Sequence, residues 1–254
     1  MRSETYSTPG PLRLNLEIPA GEIEIETANT DETRVELEAV ANNDAIRDLV
    51  ENSRIELVRR GDGHEVIVEA KSRHGIFISI SQGPDIRFGG PDVRLRITCP
   101  HGADLEARTK SADVRARGEY GAVDLKTASG DLQVDKAKGP TRIKSASGDV
   151  HIDEVVSSLE VQSVSGDLHA GLVHGDIRAQ LVSGDVMVGV RAGARVYVDA
   201  NTVSGSTSSE FELSDAPTAA PAADAPLVEL FVKTVSGDVR IERALAAAEL
   251  TEQS

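Results

Sequence analysis

The sequence is short of rings, thiols and positive charge. Only 3% of its 254 residues are aromatic, with no Trp, four Phe and three Tyr. That excludes a nucleic-acid platform built on stacked bases and any large ring-lined ligand pocket. Cys99 is the sole cysteine, so no intramolecular disulfide forms, and its place before Pro100 at the end of an alternating run reads as a small buried residue. The formal net charge is −15, and no run of Lys or Arg interrupts it. Such a surface repels DNA, RNA and anionic membranes, so no nucleic-acid partner is expected. No window approaches the ~18 apolar residues of a membrane span, so membrane insertion is not expected either. The opening Met1-Arg2-Ser3-Glu4-Thr5 has no apolar signal stretch, and the expected location is the cytoplasm. Catalytic signatures are missing as well: no Gly-x-Ser-x-Gly, no His-Glu-x-x-His, no phosphate loop. The expectation is a protein that is not an enzyme and takes no cofactor.

What the sequence does have is a repeat. Ser-Gly-Asp recurs at Ser129-Gly130-Asp131, Ser147-Gly148-Asp149, Ser165-Gly166-Asp167 and Ser183-Gly184-Asp185, 18 residues apart each time. Ser111-Ala112-Asp113 is a decayed copy one step earlier, while Ser204-Gly205-Ser206 and Ser236-Gly237-Asp238 fall out of phase. The 18 divides into two units of nine, punctuated by Gly121, Gly130, Gly139, Gly148, Gly166, Gly175, Gly184 and Gly193, with Ser157 in the one vacant place. Within each unit apolar residues alternate, as in Val123 and Leu125, Leu132 and Val134, or Val150 and Ile152. Alternation with period two marks a strand with one buried face. Nine residues make one short strand and one corner, and two units return the chain over its own start. The predicted fold is all-β: a parallel β-solenoid, β-helix-like, with 18-residue coils of two short strands stacked ~4.8 Å apart. Because nine is odd, the buried positions change parity between units. Corner glycines that accept positive φ are expected to absorb the extra residue, with Ser before and Asp after them bonding nearby amides.

The corner Asp113, Asp131, Asp149, Asp167 and Asp185 are expected to form a column of like charges. Two readings stand: carboxylates that cap turns, or a ladder for divalent cations, although no unit reproduces the Gly-Gly-x-Gly-x-Asp calcium nonapeptide. Gln133, His151, His169 and Met187 share an outward column, so the two histidines are expected to be stacked neighbours, either as solvated imidazoles or as a two-histidine metal site.

Residues 1–102 keep the strand pattern without the strict repeat. Alternating runs include Leu12-Leu14-Leu16-Ile18, Val35-Leu37, Val66-Val68, Ile76-Ile78-Ile80 and Val93-Leu95-Ile97. This part is expected to be an antiparallel, β-sandwich-like region covering the first coil, with a short helix over 44–52 capped by Asn43. Residues 103–243 would be the solenoid, interrupted by an Ala/Pro-rich loop over 214–226, after which the coils resume. Residues 244–254 would be a C-terminal helical cap and tail that closes the far end, its helix beginning near Arg243.

The repeat, with Leu16-Glu17-Ile18-Pro19-Ala20-Gly21-Glu22-Ile23 and Val93-Arg94-Leu95-Arg96-Ile97-Thr98-Cys99-Pro100, resembles the bacterial putative-adhesin family of β-strand-repeat proteins, a domain family of unknown function. The resemblance covers nearly the whole chain. It implies a solenoid-like β fold and carries over no catalytic residues. Three roles are consistent with these features: a soluble scaffold that binds a protein partner, a surface adhesin exported by a leaderless route, or a solenoid that polymerises end to end.

Overall fold

The computed structural model describes residues 1–40, 44–70, 93–191, 194–210 and 227–244. The expected strand at Ile76–Ile80, the cap at Asn43, the punctuating Gly193, the loop over 214–226 and the tail from residue 245 on lie outside the described residues. The N-terminal part holds β1 (Arg2–Ser7), β2 (Leu12–Ala28), β3 (Glu32–Ala39), α1 (Asp44–Glu51), β4 (Arg54–Arg60), β5 (Gly63–Glu69) and β6 (Val93–Pro100). The long β7 (Ala103–Thr127) leads into β8 (Leu132–Ala137), β9 (Thr141–Ser145), β10 (Val150–Val155), β11 (Leu159–Ser165), β12 (Leu168–Val173), β13 (Ile177–Ser183) and β14 (Val186–Arg191). Then come β15 (Arg195–Ser204), β16 (Thr207–Ser209), β17 (Leu227–Ser236) and β18 (Val239–Ala244).

The coils stack in parallel register, each strand on the one 18 residues earlier. Val150 lies between Leu132 and Leu168, and Val161 between Ile143 and Ala179. Two walls result. One runs through the middle of β7, then β8, β10, β12 and β14; the other through the end of β7, then β9, β11 and β13. Their inward residues form one continuous aliphatic core, and Leu125, Val134, Ile143, Ile152, Val161 and Ala170 are fully buried in it. Tyr120 is the large ring inside, and its hydroxyl donates to the Ile25 carbonyl at 2.9 Å.

The parity change occurs in two places, only one of them a Gly corner. At the Ser-Gly-Asp corners Gly130, Gly148, Gly166 and Gly184 have φ between 108° and 139°, as expected. Gly121, Gly139 and Gly175 do not adopt positive φ. The second shift is made inside the strand instead. β8 and β10 each place two successive residues outward, Asp135 and Lys136 or Asp153 and Glu154, before Ala137 and Val155 turn in. Gly139 and Gly175 are required for closeness: a Cβ on Gly139 would lie 2.8 Å from the Ala122 nitrogen, and one on Gly175 would lie 2.7 Å from the Ser157 carbonyl carbon.

The N-terminal region is more continuous with the solenoid than an antiparallel sandwich would be. Antiparallel pairs do occur, β1 with β3, β3 with β6 and β4 with β5. The central β2, however, pairs in parallel with β5, β6 and β7, bending at Gly21 (φ 128°). It therefore serves as an early coil, and the antiparallel strands are laid on its outer side, where they occupy what would be an open edge. The helix forms as expected, burying Leu49 and Val50 and half-burying Ile46.

The far end departs from sequence order. β17 pairs with β13 on one side and with β15 on the other, and β18 lies between β14 and β16. The coil of residues 227–244 is thus inserted beneath that of residues 195–209, which ends the stack of described coils. This is why the last two Ser-Gly motifs fall off the 18-residue ruler. It also corrects the expected helix start, since Arg243 and Ala244 belong to β18 and pair with Val190 and Arg191.

Candidate functional site

The periodic corner was the sequence's strongest candidate, and the structure gives its chemistry. The Oδ1 of Asp113 accepts the Asp131 N–H at 3.0 Å, Asp131 accepts from Asp149 at 2.9 Å, Asp149 from Asp167 at 2.8 Å, and Asp167 from Asp185 at 2.8 Å. The ladder continues in spatial order: Asp185 accepts from Asp238 at 2.8 Å, and Asp238 accepts both the N–H and the hydroxyl of Ser206. Each carboxylate satisfies one amide that the corner removes from the sheet, which offsets like charges one coil apart. The two bonds from Ser206 hold the Asp238 carboxyl below the usual carboxylate range. Ser206 ends the ladder, since no described coil lies beyond it to need an acceptor. These bonds account for the Asp column without a cation, and among the described residues no three His, Cys, Asp or Glu side chains gather for a metal ion.

The corner serines act differently from expectation. The side chains of Ser129, Ser147, Ser165 and Ser183 are exposed, and their backbones do the bonding. Thr127 donates its hydroxyl to the Ser129 carbonyl at 2.6 Å, Ser145 to Ser147 at 2.9 Å, and Ser163 to Ser165 at 3.2 Å. The sequence carries a signal for this buried hydroxyl column: a hydroxyl residue stands two places before the corner Ser in three of the four in-phase repeats, and Leu181 replaces it in the fourth.

Outside the core the walls carry charge in rows. Glu36, Arg96, Glu24 and Arg115 lie side by side across β3, β6, β2 and β7, an alternation of sign in register. Arg96 bonds Glu24 at 2.9 Å, and Glu22 is clasped by Arg94 and Arg115. Burial would raise the Glu22 carboxyl, but the two guanidiniums outweigh it and its pKa is lowered. A shallow groove of about 290 Å³ opens over this face, lined by Arg34, Arg96, Arg115 and Arg117 among others. A second, of about 270 Å³, lies over the opposite wall between Glu106, Asp124, Arg142 and Glu160. Both floors are sheet surface, and no hydrogen bond between a lining hydroxyl and a lining carboxylate is seen in either among the described residues. Cys99 offers no nucleophile: it is buried, and burial pushes its thiol up to about 12.

Two surface features remain. His151 and His169 are stacked, as the shared column predicts, with ring centroids 4.6 Å apart and planes 4° from parallel. The residue before each corner Ser builds a ridge. Val164, Val182 and Val235 are about half exposed, and Val203 at the end of the stack is 83% exposed.

An acidic β-solenoid with charged sheet faces, ladder-bonded corners and an apolar ridge defines a β-helical repeat protein. Residues 13–242 match the model of the Toastrack family, DUF4097, and the chain belongs to that family, a domain of unknown function. Among solved structures it is similar to a putative cell adhesion protein from Clostridium sporogenes, at 8% identity and a TM-score of 0.46, over 95% of this chain and 99% of that one. It is also similar to a putative adhesin from Bacteroides fragilis, at 14% identity and a TM-score of 0.47, over 94% and 96% of the two chains. No curated protein matches the chain.

Proposed function

We propose that this chain is a non-enzymatic, soluble interaction scaffold whose rigid strand faces and corner ridge bind a protein partner. The valine ridge carries the reading. Side chains at that position face solvent and pack nothing inside the coil, yet they change from Ala128 and Ala146 to Val164, Val182, Val235 and Val203 toward the last described coil. Aligned apolar side chains about one strand spacing apart on a rigid edge are the makings of a protein-contact surface. The surrounding acidic surface keeps the scaffold dispersed and favours a partner with basic residues around an apolar groove.

The end of the stack argues against the polymer. The outermost of the described coils has Ser206 in place of the corner carboxylate, and its inward positions on β16 are Thr207 and Ser209, opposite Val239 and Ile241. A further coil would find neither an acceptor nor an apolar floor there. Light scattering after size exclusion is expected to give a monomer or small oligomer; elution in the void volume would support the filament. The decisive test is affinity capture with the wild type and with Val164→Asp/Val182→Asp/Val235→Asp in parallel. A partner retained by the first and lost by the folded second supports the scaffold, and equal capture by both overturns the ridge. We place the scaffold in the cytoplasm; recovery in the envelope fraction of its own cells would favour adhesion instead.

A further inference from the structure

We infer that His151, His169 and Met187 form a binding site for a soft monovalent cation, with Cu(I) the physiological candidate. The three residues occupy one outward column on adjacent parallel strands, His151 paired with His169 and His169 with Met187. Adjacent parallel strands lie ~4.8 Å apart, which sets the three side chains in a row above the sheet, with His169 in the middle and a donor on either side of it. The rings are stacked 4.6 Å apart. Turning the His169 ring about χ2 displaces no core side chain, because the column faces solvent, and it brings one of its ring nitrogens toward an ion shared with its neighbours.

The neighbours are arranged for this. The Nε2 of His151 meets the Asp153 carboxylate at 2.9 Å, which fixes the ring and leaves Nδ1 as the donor; a carboxylate behind a histidine ligand raises its basicity. Gly171, two residues beyond His169 on the same strand, places no side chain over the space beside Asp153. The donor set also selects the ion. A tetrahedral site for Zn²⁺ would need a third His, Cys, Asp or Glu ligand; no such three gather among the described residues, and the nearby Asp153 is engaged with the outer nitrogen of His151. Cu(I) is content with two or three donors, and a thioether favours it over harder ions. The net charge of −15 adds a general attraction for any cation.

The test uses the whole chain, free of any histidine tag. Ag⁺ serves as a redox-inert probe in calorimetry, and Cu(I) is measured by anaerobic competition with bicinchoninate. One equivalent is expected to bind. Substituting His169→Gln, the central donor, should weaken binding by more than the ~10–100-fold that loss of an outer carboxylate causes, and Asp153→Asn should fall within that range. Met187→Leu should weaken Ag⁺ and Cu(I), and His174→Gln should change nothing. All these positions lie outside the core, and circular dichroism verifies the fold of each variant. As a second readout, the His151 and His169 ring protons and the Met187 methyl should shift together in NMR spectra as Ag⁺ is added. Absence of stoichiometric binding, unchanged affinity in His169→Gln, or a preference for Zn²⁺ over Ag⁺ would overturn the assignment.

Discussion

Replacing Gly148 with Ala isolates what a corner glycine contributes. Its φ is +108°, beyond the left-handed well that Asn or Asp tolerates. A Cβ there would lie 2.7 Å from the carbonyl carbon of Gly130 in the coil below, with the oxygen closer still. Backbone strain alone costs about 1–3 kcal/mol. The overlap is with main chain, so neither partner can swing away and the coils must part. Overpacking of this kind costs a further ~1–3 kcal/mol. Parting also stretches the bond from the Asp149 N–H to Asp131, a charge-assisted bond of about 1.5–3 kcal/mol. The ranges add to about 3.5–9 kcal/mol, and because the three effects are not independent the lower end is the fairer figure. That lower end corresponds to a Tm drop of roughly 7–14 °C for a chain of this size. Gly61 is the control: its φ is +61° and nothing lies within 4 Å of its would-be Cβ, so Gly61→Ala carries strain without collision. Thermal melting by circular dichroism at the strand band, with hydrogen exchange at β8 and β10 to localise the opening, measures both. If Gly148→Ala melts within a few degrees of Gly61→Ala, the close-contact argument is wrong.

Three further outcomes follow from the same geometry. Asp167→Ala removes the acceptor of the Asp185 N–H and should cost about 1.5–3 kcal/mol in urea unfolding, whereas Asp167→Asn keeps a carbonyl oxygen and should cost less than half of that. Cys99 should resist a thiol-reactive disulfide reagent in the native state at pH 8 and react fully in denaturant, since burial holds the thiol up to about 12; rapid native labelling would contradict that burial. Acid should destabilise the fold through Glu22, Glu119, Glu154 and Asp238, whose folded pKa values all lie below the ordinary ones. Their contribution is fully present above the unfolded carboxylate pKa of about 4 and is lost as pH falls through the depressed values, so Tm should be flat from pH 7 to about 5 and decline below, and a flat profile to pH 3 would refute it.

The solenoid was legible because its rules are local and repeated. Four Ser-Gly-Asp corners on one ruler, each followed by apolar residues at alternate positions, fix coil length, parallel register and buried faces together. The second parity change was not legible. Asp135-Lys136 and Asp153-Glu154 are polar pairs that suit any exposed stretch, and the displacement shows only when Ala137 and Val155 are seen to point inward. The role of Asp was half legible: a carboxylate after Gly suggests an amide partner, but its partner is the Asp amide one coil on, a contact made only by stacking. The N-terminal strands gave up their alternation and not their direction, since Leu14 and Leu16 are buried alike in parallel or antiparallel pairing.

The out-of-phase motifs at the far end reflect more than an inserted loop: they meet the requirements of a terminus. An inner coil must offer an acceptor to the next amide, a dry floor on both walls and a glycine against the carbonyl of the coil before it. Residues 227–244 meet all three, with Asp238, with Val228, Leu230, Val232, Val239 and Ile241 fully buried, and with Gly237 packed on Gly184. The coil of residues 195–209 meets only the last, through Gly205 on Gly237. Its inward residues on β15 shrink to Val196, Val198 and Ala200, half-buried, and on β16 they are hydroxyls. Were that coil kept in sequence order, the hydroxyls and the missing carboxylate would sit in the middle of the stack, leaving an amide without its acceptor and polar groups in the core, each a loss of about 1–3 kcal/mol. Inserting the later coil beneath it moves both to the surface, where water satisfies them. The departure from phase is thus what allows a repeat that could otherwise propagate to stop.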